Sequence, residues 1–99
     1  MIAWPDNTHL PDQAFVLPRE PTPAVIQVLR LMPWQTIPIS RVLQRAGFSV
    51  PTRTEDEQAH VMFFLLPYAI AFGDDWWVQA HAQLSIINGG AVAPGKEPS

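Results

Sequence analysis

Residues 54–75, TEDEQAHVMFFLLPYAIAFGDD, decide how this chain folds: an acidic start, a long apolar run and a glycine-acid stop together specify one central helix over 54–72. Thr54 followed three residues later by Glu57 has the pattern of a capping box, in which each side chain pairs with a backbone N–H left free by the first turn. Glu55, Asp56 and Glu57 also sit where the helix dipole favours negative charge. At the far end Gly73 can adopt the left-handed backbone that closes a helix, and Asp74 or Asp75 can cap the next one.

From Val61 to Phe72 the run holds no charge, and its one polar group of consequence is the Tyr68 hydroxyl. These 12 residues fall short of the roughly 20 that a helix needs to cross a bilayer, so no membrane span is expected. A helix that is apolar on all sides is normally buried on all sides. Pro67 removes the hydrogen bond to the Phe63 carbonyl and crowds that turn, which predicts a kink near Phe63 to Pro67. Any part of the Phe63, Phe64 and Tyr68 flank that the chain leaves uncovered becomes a contact surface for a partner or a second copy.

Outward from this helix, Thr22 and Pro23 open a first helix over about 22–32, with Val25, Val28, Leu29 and Met32 on its apolar face and Pro33 as its stop. A loop around Trp34 leads to a second helix over about 37–46. Ile39, Val42, Leu43 and Ala46 point inward there, while Arg41 and Arg45 form a solvated face. A fourth helix covers about 75–87 with Trp77, Ala80, Leu84 and Ile87 on one face, ended by Asn88-Gly89-Gly90. No segment alternates with a period of two. The expected fold is therefore all-α, a compact domain of four helices over 21–90.

Residues 1–20 read as an extended, proline-rich arm, because prolines remove donors and bias their predecessors away from helical angles. Its Ile2, Trp4, Leu10, Phe15, Val16 and Leu17 are too apolar for a solvated tail, so the arm is expected to dock on the helical body or on a neighbouring subunit. Residues 91–99, AVAPGKEPS, read as a flexible tail.

A hydrophobic fraction of 47% over 99 residues bounds the chain to one folded domain. Without cysteine there is no disulfide, thiolate metal site or cysteine nucleophile, which suits a cytoplasmic protein, and MIAWPDNTHL lacks the features of a signal peptide. A formal charge of -3 with only six basic residues disfavours nucleic acid as a partner.

The chemistry-bearing patterns are thin. Glu57 and His60 make one Glu-x-x-His pair, whereas a di-iron bundle needs two such pairs and two further glutamates, so no metal or other cofactor is expected. The serines lie in no nucleophile elbow and no glycine-rich phosphate loop exists. Along a straight helix Asp56 and Asp74 stand about 27 Å apart, too far for paired-carboxylate catalysis. PISRVLQRAGFSVPTRTEDEQAHV, residues 38–61, has a helix-turn-helix outline, but its recognition helix would meet DNA with three acids.

The stretch from Pro51 to Trp76, with its EDEQA entry, aromatic-aliphatic middle and GDDW exit, resembles small uncharacterised proteins encoded by phages and prophages of proteobacteria. That resemblance covers about a third of the chain and implies a small accessory protein; it implies no catalytic residue. The expectation is a non-enzymatic protein-interaction module, with a helix-turn-helix regulator as the alternative. Trp4, Trp34, Phe63, Phe64, Tyr68 and Trp76 are its candidate partner contacts, since aromatic residues and above all tryptophan dominate binding hot spots. Trp77 is assigned to the core. Homodimerisation is expected from the arm and from the apolar surplus of the central helix.

Overall fold

The computed structural model describes residues 4–89. Ile2 and the tail 91–99 lie outside them. Those residues form α1 (Pro23–Leu29), α2 (Pro33–Arg45), α3 (Thr54–Phe72) and α4 (Trp76–Ile87), with 3-10 turns at Asp12–Phe15 and Gly73–Asp75, and the described residues contain no strand. The second 3-10 turn joins α3 to α4 without a non-helical residue, so the described residues hold three separate α-helical stretches rather than the expected four. At Gly73 the backbone takes φ 57° and ψ −128°, a conformation open to glycine, and α4 folds back onto α3. By length and composition the whole run Thr54–Ile87 could cross a membrane, which the 12-residue reading did not anticipate. Its reversal at Gly73 and the burial of Val61, Phe64, Leu65, Tyr68 and Ala69 are the behaviour of a core hairpin.

Everything packs around α3: α1, α2, α4 and the 3-10 turn of the arm all lie against it. Its apolar run is buried at Val61, Phe64, Leu65 and Pro67 to Ala69 and half-buried at Met62, Leu66 and Ile70 to Phe72, while Phe63 is 65% exposed. The helix passes through Pro67, whose ring is buried. At the entry the structure corrects the capping box. Arg53 holds the N-cap position, Thr54 is already helical, and no side chain caps the first turn. Glu57 turns inward instead.

The first two helices also differ from their expected bounds. Thr22 caps α1 as predicted, its Oγ1 accepting from Val25 N at 3.2 Å, but α1 stops at Leu29 and Pro33 begins α2 rather than ending α1. Proline is suited to a first helical position because its missing N–H is unpaired there anyway. Gln35 completes the start by reaching back, its Oε1 accepting from Met32 N at 2.7 Å. Trp34 therefore belongs to a helix and not to a loop, and Pro38 lies inside α2. Gly47, at φ 94°, takes the chain out of α2.

The arm is not simply extended, since Asp12–Phe15 winds into a 3-10 turn against α3. Pro5, Leu10 and Ala14 are buried, while Phe15, Val16 and Leu17 stay exposed. Trp4 lies tilted over His60 and Phe63, with ring centroids 5.9 and 5.7 Å away. On α4 the inward face is Trp76, Ala80 and Leu84. The expected face was therefore rotated by one residue at its start, and Trp77 is exposed. Asp75 occupies the N-cap position of α4 without capping it; its Oδ2 accepts from Gln79 Nε2 at 2.9 Å.

Tyr68 is the one tyrosine of the chain and is fully buried, stacked on Phe72 and tilted against Phe64 and His9. Burial disfavours the phenolate and pushes the phenol from 10.0 up to about 12. Because the native state holds the proton more tightly than the unfolded chain, this group's contribution to stability is complete below pH 10 and is lost as pH rises through about 12. A tyrosinate absorbance titration should show a single step near pH 12 in the native protein and near 10 in denaturant. A native step at 10 would contradict the burial.

Candidate interaction surface

The structure divides the six candidate contacts into two groups. Phe64, Tyr68 and Trp76 are buried at 0%, 1% and 7% exposure, so this chain uses them itself as core. Trp34 is 72% exposed and Phe63 65%, while Trp4 is half-buried against Phe63. The exposed aromatics are thus not one patch along α3: Phe63 and Trp4 lie where the arm crosses that helix, and Trp34 stands on the first turn of α2.

Around Trp34 the surface is unusually apolar. Leu29 and Met32, at the α1–α2 junction, are exposed as well, and so is Ile26 in the middle of α1. Leu29 and Met32 were expected on the inward face of a longer helix, and the early end of α1 leaves them outside. The junction is held in place from beneath: Gln58 of α3 donates from Nε2 to the Leu31 carbonyl at 2.8 Å. Beside it opens a shallow groove of about 430 Å³ lined by Gln27, Arg30, Leu31, Met32, Gln35 and Trp76. Gln27 and Arg30 were not singled out by the sequence, because a polar residue on a short helix looks solvated until the neighbouring helix is placed.

The side chains lining this groove are two amides, one guanidinium, a leucine, a methionine and an indole. No protein-family model, curated protein or solved structure matches this chain. The reading of the site therefore rests on its own residues.

Among the described residues a second polar cluster lies between α2 and α3. Glu57 is 2% exposed, and its Oε2 receives Ser40 Oγ at 2.9 Å, Arg41 Nη1 at 3.1 Å and Gln44 Nε2 at 3.1 Å, all from α2. Arg41 also donates to Gln44 Oε1 at 3.0 Å, so it belongs to this cluster rather than to a purely solvated face. Ser40 has one hydroxyl hydrogen and two acceptors in reach, Glu57 and the Ile37 carbonyl at 2.8 Å, which it must share. With three donors from α2 gathered on one buried oxygen of α3, the cluster ties α2 to α3. The Glu-x-x-His pair does not converge on one point either: His60 Nδ1 donates to the Asp56 carbonyl at 2.7 Å, and no group of three metal-ligating side chains occurs among the described residues.

Proposed function

We propose that this chain is a non-enzymatic protein-interaction module, an accessory protein of the phage-encoded kind that its segment 51–76 resembles, and that it meets a protein partner through the α1–α2 junction. The observation that carries this reading is Trp34, 72% exposed on a helical turn, with exposed Leu29 and Met32 a few residues before it. Burying such side chains gains roughly 1.5–3 kcal/mol each, a gain this fold leaves unrealised. The Thr22 cap and the Gln58 bond to Leu31 hold the junction in one conformation, which lowers the ordering cost of association.

The helix-turn-helix alternative has less behind it. The first turn of α3 presents Glu55 and Asp56 at its N-terminus and turns Glu57 into the protein, where a DNA reader needs polar or basic groups.

The test is retention of proteins from the native host on the immobilised chain and on a Trp34→Ala, Met32→Ala variant. A partner held by the wild type should be weakened on the order of 30-fold by the double substitution, with circular dichroism unchanged because both residues are exposed. Light scattering that gives twice the monomer mass, reduced to monomer by the variant, would make a second copy the partner. Retention of nothing by a monomeric chain, or equal retention by both proteins, refutes the reading.

A further inference from the structure

We infer that the groove between α1 and α2 takes an acidic peptide segment, one apolar side chain lying on its floor and a carboxylate meeting its rim. This rests on the interaction reading above and names the chemistry of the partner. The two glutamines of the groove cannot turn freely. The indole N–H of Trp76 is only a donor, so the Gln27 atom 2.8 Å from it is the amide oxygen; the backbone N–H of Met32 likewise fixes Gln35 Oε1 at 2.7 Å. Both acceptors are thereby engaged, and each glutamine is left with its NH2 group to offer a ligand.

Arg30 adds a third donor and the only formal charge among the lining residues. It forms no ion pair among the described residues. Asp74 and Asp75, in the 3-10 turn packed on α1, form no ion pair with it, and Asp75 is engaged with Gln79. The rim thus consists of donors, one of them cationic, around a floor of Leu31, Met32 and the edge of Trp76. Two amide NH2 groups and a guanidinium together suit a carboxylate, whose planar geometry the guanidinium matches. Methionine lets the floor adapt to different apolar side chains.

The probe is a random-peptide library on beads, presented to the full chain, followed by nitrogen-15 chemical-shift mapping of the enriched peptides. Enriched sequences should pair aspartate or glutamate with a large apolar residue and shift the Trp76 indole signal more than that of Trp77. Arg30→Glu should weaken them at least about tenfold. Gln27→Glu and Gln35→Glu offer an independent check: the new carboxylate still accepts from Trp76 or Met32, so the fold is kept, while a donor becomes a negative charge. Both should weaken acidic peptides several-fold. Enriched peptides without acids, peptides indifferent to the three substitutions, shifts centred on Trp77, or no enrichment at all would each overturn the inference. Peptides that bind through Trp34 without needing an acid would overturn it while leaving the interaction module standing, whereas the host-protein test can fail on its own.

Discussion

Phe64→Ala should lower the unfolding free energy by about 3–5 kcal/mol, while Phe63→Ala, one residue away and losing the same atoms, should cost less than about 1 kcal/mol. The difference lies in which way each ring points. Phe64 is 0% exposed and packs against Tyr68 with ring centroids 5.5 Å apart, at the place where α3 meets its neighbours. Truncating it leaves a cavity that a close-packed interior closes only in part. Phe63 is 65% exposed, and its packing includes the tilted contact with Trp4, so alanine there mainly returns a few atoms of the arm to water. Urea unfolding followed by tryptophan fluorescence separates the two, with the midpoint falling steeply for Phe64→Ala and the slope unchanged in both. Equal losses would mean that α3 is rotated from the orientation described here.

That pair also marks the limit of what could be read from the chain alone. The existence and bounds of α3 were legible, because its acidic entry, uniform apolar body and Gly73 are each local signals and agree with one another. A helix apolar on every side carries no record of which side faces out, so Phe63 and Phe64 could not be told apart. The same difficulty rotated α4: Trp76-Trp77 are adjacent, the helix has no lysine, arginine, aspartate or glutamate to mark a solvent face, and either tryptophan continues to Ala80 and Leu84. Pro33 was misread for a different reason, since proline both follows a finished helix and opens a new one, and only Gln35 reaching back to Met32 distinguishes the second case. Of the candidate surface, Trp34 was visible as a residue but its setting was not. Its neighbours Leu29 and Met32 became surface only once α1 ended a turn early.

Glu57→Ala should cost about 2–4 kcal/mol and lower the melting temperature by about 10 °C or more, a large share of the stability of a domain this small. Thr-x-x-Glu spells both a capping box and an acid turned inward, and the choice between them is made by α2, which brings Ser40, Arg41 and Gln44 to one oxygen. Removing the carboxylate leaves these three donors unequal. Arg41 is half exposed, so water can take over its bond, but Arg41→Ala takes the cation from the buried Glu57 and should cost about 1–3 kcal/mol. Ser40 keeps the Ile37 carbonyl at 2.8 Å and Gln44 the Val50 and Pro51 carbonyls at 3.3 Å, so the cost is mainly the lost link between α2 and α3 and the space left by the buried side chain. Glu57→Gln keeps an acceptor but brings an NH2 into a ring of donors, and should fall between wild type and Glu57→Ala. A cycle with Ser40→Ala decides whether the cluster acts as one unit: coupling of about 1 kcal/mol or more is expected for groups sharing a buried hydrogen bond. Thermal unfolding of the single and double variants measures it, and simple additivity would show that Ser40 contributes nothing through Glu57 and that Arg41 and Gln44 alone carry the polar link between α2 and α3.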